Sequence, residues 1–165
     1  MAVHWWRTNS LVTELAHDQV SEEQSLRYAM ISAVLATFTL YYGYWTGAER
    51  GWLLLMECVA VTVISLIGLT ECFKKNGGSN GSHFLKRLYC LGVPVGVKVL
   101  LAALVIDQLF VITIPRIVTT TSFRDPFFVY QLATFVLMGT LTVCFYWRIA
   151  HHMRRVAHPE RSVAA

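Results

Sequence analysis

The chain has 165 residues, 55% hydrophobic and 15% charged, with a formal net charge of +4 and a mean hydropathy of +0.49. A soluble domain carries about 25% charge and hides an apolar minority, so this balance excludes an ordinary one. More than half the chain lies in four apolar blocks, and no remaining piece is large enough to fold as a separate catalytic domain.

The leader, residues 1–27, comes first. Leu11, Val12 and Leu15 fall on one side of a short helix between Ser10 and Asp18, with Trp5 and Trp6 upstream. That pattern suggests a segment lying on the bilayer surface; a frayed leader is the alternative. Glu14, Asp18, Glu22 and Glu23 argue against a cleaved signal peptide, which needs net positive charge before its apolar run. Ser21-Glu22-Glu23-Gln24 has the spacing of a capping box and predicts a helix start leading into the first block.

The four blocks cover about 28–45, 52–73, 88–115 and 127–147. A bilayer core about 30 Å thick is crossed by about 20 apolar helical residues, and none of the blocks alternates with the period of a barrel strand. Backbone groups in lipid must be satisfied within the segment, so the blocks are predicted to be helices. The expected fold is therefore all-α: an integral membrane four-helix transmembrane bundle, residues 28–147. The connection Lys74 to Lys86 reads as a flexible linker from its run Asn76-Gly77-Gly78-Ser79-Asn80-Gly81. Asn80-Gly81-Ser82 fits a glycosylation sequon, but no glycan is expected on the side assigned to it below. Asp125-Pro126 predicts the start of the fourth span, with Asp as cap and Pro at the first helical position. The basic tail, residues 148–165, is expected to continue that helix up to Pro159. Arg148, Arg154 and Arg155 there suit anionic headgroups, each worth about 1 kcal/mol near a membrane surface.

Ten of the 14 Lys and Arg fall in the leader, the central connection and the tail. Arg50, Arg116 and Arg124 fall on the opposite side, and Lys98 within a span. By the positive-inside rule both termini are cytoplasmic, in a multi-pass protein of the plasma (inner) membrane. The aromatics fit belts at both interfaces: Tyr41, Tyr42, Tyr44, Trp45 and Trp52 outside, and Tyr28, Tyr89, Tyr146 and Trp147 inside.

Three residues should not be at membrane depth without a reason: Glu57, Lys98 and Asp107. Insertion costs about 2.5–3.5 kcal/mol for such groups. Lys98 and Asp107 are nine residues apart on one helix and point to opposite faces. Glu57 is the expected partner, because spans two and three should be antiparallel neighbours. A pair with Lys98 would be structural, and a pair with Asp107 would share a proton. The Asp107 face also carries Gly92, Gly96 and Ala103, a G-x-x-x-G pattern that predicts close packing on another helix. Pro94 frees the carbonyl of Cys90.

Other chemistry is not supported. Cys58, Cys72, Cys90 and Cys144 form no vicinal redox pair. The six histidines all fall outside the blocks, which disfavours haem; His151, His152 and His158 offer only a weak surface metal site. No phosphate loop, zinc-protease motif or nucleophile elbow is present, and the basic excess follows orientation, with no nucleic-acid partner implied. No metal or cofactor is expected. Expected partners are the lipid bilayer, anionic lipids at the cytoplasmic face, and other copies or other membrane subunits. The first functional reading is a non-enzymatic subunit, accessory or scaffold protein of a membrane assembly. The alternative is a small oligomeric channel, pore-former or ion-coupled transporter using Glu57, Asp107 and Lys98.

Overall fold

The computed structural model describes residues 8–45, 51–81, 83–120 and 126–157. All the regular structure among them is helical: α1 (Thr8–Ala16), α2 (Glu22–Trp45), α3 (Gly51–Lys75), a single 3₁₀ turn (Gly78–Asn80), α4 (Phe84–Thr120) and α5 (Pro126–Ala157). Among the described residues three stretches are long and apolar enough to cross a membrane: Leu55–Lys75 in α3, Phe84–Thr113 in α4 and Phe128–Ala157 in α5. The protein is thus a helical chain with the makings of an integral membrane protein.

Local signals set most helix limits. The Ser21 hydroxyl accepts the Gln24 backbone N–H at 3.2 Å, capping α2 as the motif predicts. Pro126 opens α5 at a position where its missing N–H costs nothing; Asp125 lies outside the described residues. The fifth helix runs on through Arg155 to Ala157, carrying the basic tail with it. The fourth is longer than its apolar block, continuing past Pro115 to Thr120.

The connection between α3 and α4, expected as a flexible linker, holds a 3₁₀ turn at Gly78–Asn80. Gly77 ends α3 in the left-handed region at φ 102°, where a side chain would be strained. Asn76 is buried, and its side-chain oxygen accepts from the Arg87 guanidinium at 2.8 Å. A Cβ on Gly81 would collide with the Asn76 backbone carbonyl. Composition shows glycine freedom but not the buried amide that uses it.

The helices pack as a row, α2 on α4, α4 on α5 and α5 on α3. Spans two and three, expected to be neighbours because they are consecutive, are separated by α5 among the described residues. The buried core collects at one end of the row. It is built from the start of α2 (Tyr28), the end of α3 (Cys72), the start of α4 (Cys90, Leu91, Val93, Val95) and the end of α5 (Ile149, Met153, Val156). Into this end α1 inserts Leu11, Val12 and Leu15, with Leu11 at 0% exposure. Its apolar face thus packs on α4 and α5. Away from this end the helices carry exposed Leu, Val and Ile side chains. Only 6% of the most apolar window of each candidate span is buried within the chain.

Two aromatics expected in the interfacial belt are core residues instead. Tyr28 is fully buried, and Tyr146 packs against the core, whereas Trp147 stays 67% exposed. Tyr146 sits against Gly68 of α3, leaving no room for a Cβ there, while a Cβ on Gly92 would meet nothing within 4 Å. Close approach of helices therefore occurs at Gly68, a residue outside the G-x-x-x-G pattern. Gly68→Ala is expected to destabilise the chain by about 1–3 kcal/mol, the usual cost of forcing volume into a packed contact. Gly92→Ala is expected to change stability by less than about 0.5 kcal/mol. Reversible unfolding in mixed micelles compares the two.

Candidate functional site

The three ionisable residues of the spans are turned to different neighbours. Lys98, half-buried on α4, donates from Nζ to the Thr8 hydroxyl of α1 at 3.0 Å. Asp107, about two and a half turns further along the same helix, accepts the Tyr130 phenol of α5 on Oδ1 at 2.8 Å. Glu57 of α3 lines a cavity of about 390 Å³ against α5, among Ile64, Phe135, Gly139 and Cys144. Both carboxylates thus face α5, the helix at the centre of the packing, and Lys98 faces the leader.

The Lys98 contact belongs to a larger arrangement. Thr8 meets Lys98, and Asp18, just beyond α1, meets Lys86 at 3.1 Å. The leader is therefore laid antiparallel along α4 between residues 86 and 98. A third tie joins Asn9 to the Arg155 guanidinium of α5 at 3.0 Å. Asp18 takes a left-handed φ of 51°, which Asp tolerates better than most residues. The hydrogen bond and charge of Lys86 hold the Asp18 carboxyl below the ordinary aspartate range.

Between α1, α4 and α5 lies a cavity of about 600 Å³. Its polar wall is Thr8, Asn9, Ser10, Lys98, Arg148 and His152, and its apolar wall includes Val99, Ala102 and Leu141. His152 is 8% exposed, and its Nδ1 is buried without a hydrogen-bond partner. His151 points away, exposed to its surroundings. His158 lies outside the described residues, and among those described no three His, Cys, Asp or Glu gather as a metal site. A second cavity of about 580 Å³ opens between α2, α4 and α5. It is lined by Gly92, Gly96, Ala29, Ala33 and Ala36 with Tyr146. Ala103 is half-buried on α4. Of the tail arginines, Arg148 lines the first cavity, Arg155 ties down Asn9, and Arg154 is exposed. Cys72 and Cys90 are buried thiols, and Cys58 and Cys144 are exposed along the spans.

Sequence reasoning missed Tyr130 and Thr8. Tyr130 looks like one more belt aromatic, and a threonine in a leader carries no signal until the leader is seen folded against α4. No family model, curated protein or solved structure matches this chain.

Two outcomes follow. A double-mutant cycle of Tyr130→Phe and Asp107→Asn is expected to give a coupling of about 0.6 kcal/mol and not above about 1.7, the range for such bonds between membrane helices, read from unfolding in micelles. For Asp18 the depressed carboxyl contributes above its unfolded pKa and ceases to contribute as pH falls through the folded one. At neutral pH Asp18→Asn is expected to speed amide exchange in α1, and wild type and variant should converge in acid.

Proposed function

We propose that this chain is a non-enzymatic subunit or accessory protein of a membrane assembly, spanning the plasma (inner) membrane four times with both ends cytoplasmic. In this reading α2 is the fourth span; its apolar part, 28–45, reaches about 27 Å, at the short end of what crosses a bilayer core. The alternation of α2 to α5 gathers the core, the leader and the basic tail at one end, in keeping with the excess of Lys and Arg assigned to the cytoplasm. The observation that carries the proposal is the open small-residue cavity on α4. Gly92, where an added Cβ would meet nothing within 4 Å, leaves a surface on which a further helix backbone can come close, while Gly96 already faces Phe145; in lipid such close packing is what drives helices together. The ionisable residues of the spans support the same reading, since Lys98 and Asp107 hold packed elements together.

One observation favours a second reading, ion-coupled transport: Glu57 and Asp107 both lean on α5 from different sides. Purified protein in liposomes separates the two. The subunit reading expects no ion or proton flux, and co-purification in mild detergent with copies or other membrane proteins that Gly92→Leu disrupts. Flux that is lost in both Glu57→Gln and Asp107→Asn would establish transport in its place. A strict monomer with nothing bound would overturn the subunit reading.

A further inference from the structure

We propose that the cavity between α1, α4 and α5 is a binding site for a phosphate-bearing anion, with the headgroup of an anionic phospholipid as its occupant. Two cationic side chains from different helices line it, the half-buried Lys98 and the exposed Arg148. Thr8, Asn9 and Ser10 add hydroxyl and amide donors from the leader. None of the residues lining it is acidic. The buried Nδ1 of His152, without a partner in the folded chain, is a polar atom of the kind that normally finds one. Phosphate oxygens complement such a set, because they accept several charge-assisted hydrogen bonds at once.

The apolar wall argues for a lipid. Val95, Val99, Ala102 and Leu141 continue from the charged residues along α4 and α5, so an acyl chain can lie on the helices while its phosphate meets the cations. Basic pockets between helices at the cytoplasmic side bind lipid headgroups in this way. The proposal rests on the membrane reading given above and is independent of the subunit role.

The test uses the full-length protein in mild detergent, with lipid retention measured by native mass spectrometry. Dioleoyl phosphatidylglycerol is expected to be retained over dioleoyl phosphatidylcholine. Arg148→Gln is expected to weaken retention by about tenfold, as for loss of one charge-assisted hydrogen bond, and His152→Phe, which keeps the ring volume, by less. Arg154→Gln, exposed at the same end but outside the cavity, should retain the lipid as wild type does. Equal retention of the two lipids, or equal loss in Arg154→Gln and Arg148→Gln, would overturn the site. Displacement of the glycerol lipid by inorganic phosphate at low millimolar concentration would keep the anion site and overturn the lipid occupant. Whether detergent is needed for extraction tests the membrane reading separately.

Discussion

Docking of α1 between the ends of α4 and α5 organises the best-packed part of the molecule. Leu11, Val12 and Leu15 share one buried cluster with Val93, Val95, Met153 and Val156, at the end of the row where water is nearest in the proposed topology. Burying an aliphatic side chain of this size stabilises by about 1.5–3 kcal/mol where the alternative is water. The polar ties Lys86–Asp18, Asn9–Arg155 and Thr8–Lys98 have a different role. Exposed pairs contribute little energy, but two of them, with the part-buried Thr8–Lys98 bond, fix the direction in which the leader lies. Hydrophobic burial holds α1 down and the ties set its register.

At the other end, in the proposed topology, the same chain obeys a different solvent. In lipid an exposed leucine has nothing to gain by hiding, so helices stay together only where they fit closely or share hydrogen bonds. Gly68 against Tyr146 is such a fit between α3 and α5, and Tyr130 with Asp107 is such a bond between α4 and α5. With α5 holding a neighbour on either side, α2 and α3 become the outer members of the row. That leaves the small-residue side of α4 partly open beside α2. The open face is therefore a consequence of where the specific contacts fall, not of a missing apolar surface.

Helix existence was readable from the sequence because block length and apolar content decide it, and helix limits were readable wherever a cap or proline speaks locally, as at Ser21 and Pro126. Packing order was not. Chain order suggested that α3 would lie beside α4, and nothing in apolar periodicity distinguishes that from α3 beside α5, since lipid-facing and protein-facing residues are equally hydrophobic. For the same reason Tyr28 and Tyr146 looked like belt residues, and Gly68 was overlooked beside a better-known glycine spacing. The ionisable residues of the blocks stand out by their charge, but their neighbours come from elements distant in sequence: Thr8 is 90 residues from Lys98, and no local pattern links them.

That long-range contact changes how the charge of Lys98 is accommodated. A lone lysine at this position would be expected to stretch its stem towards the headgroups and leave its surroundings apolar. Here the leader comes to the lysine instead, running beside α4 from Lys86 to Lys98 and bringing Thr8, Asn9 and Ser10 to its level. A polar wall beside a charged group lowers the cost of keeping it at depth, and it also borders the cavity that α1 shares with α4 and α5. Once Arg148 of α5 borders the same space, it and Lys98 bring two cationic side chains to a lining that holds no acidic one. An orientation signal spread over the chain as separate lysines and arginines is thereby gathered, by one short helix folding back, into a local charge that an anion can complete.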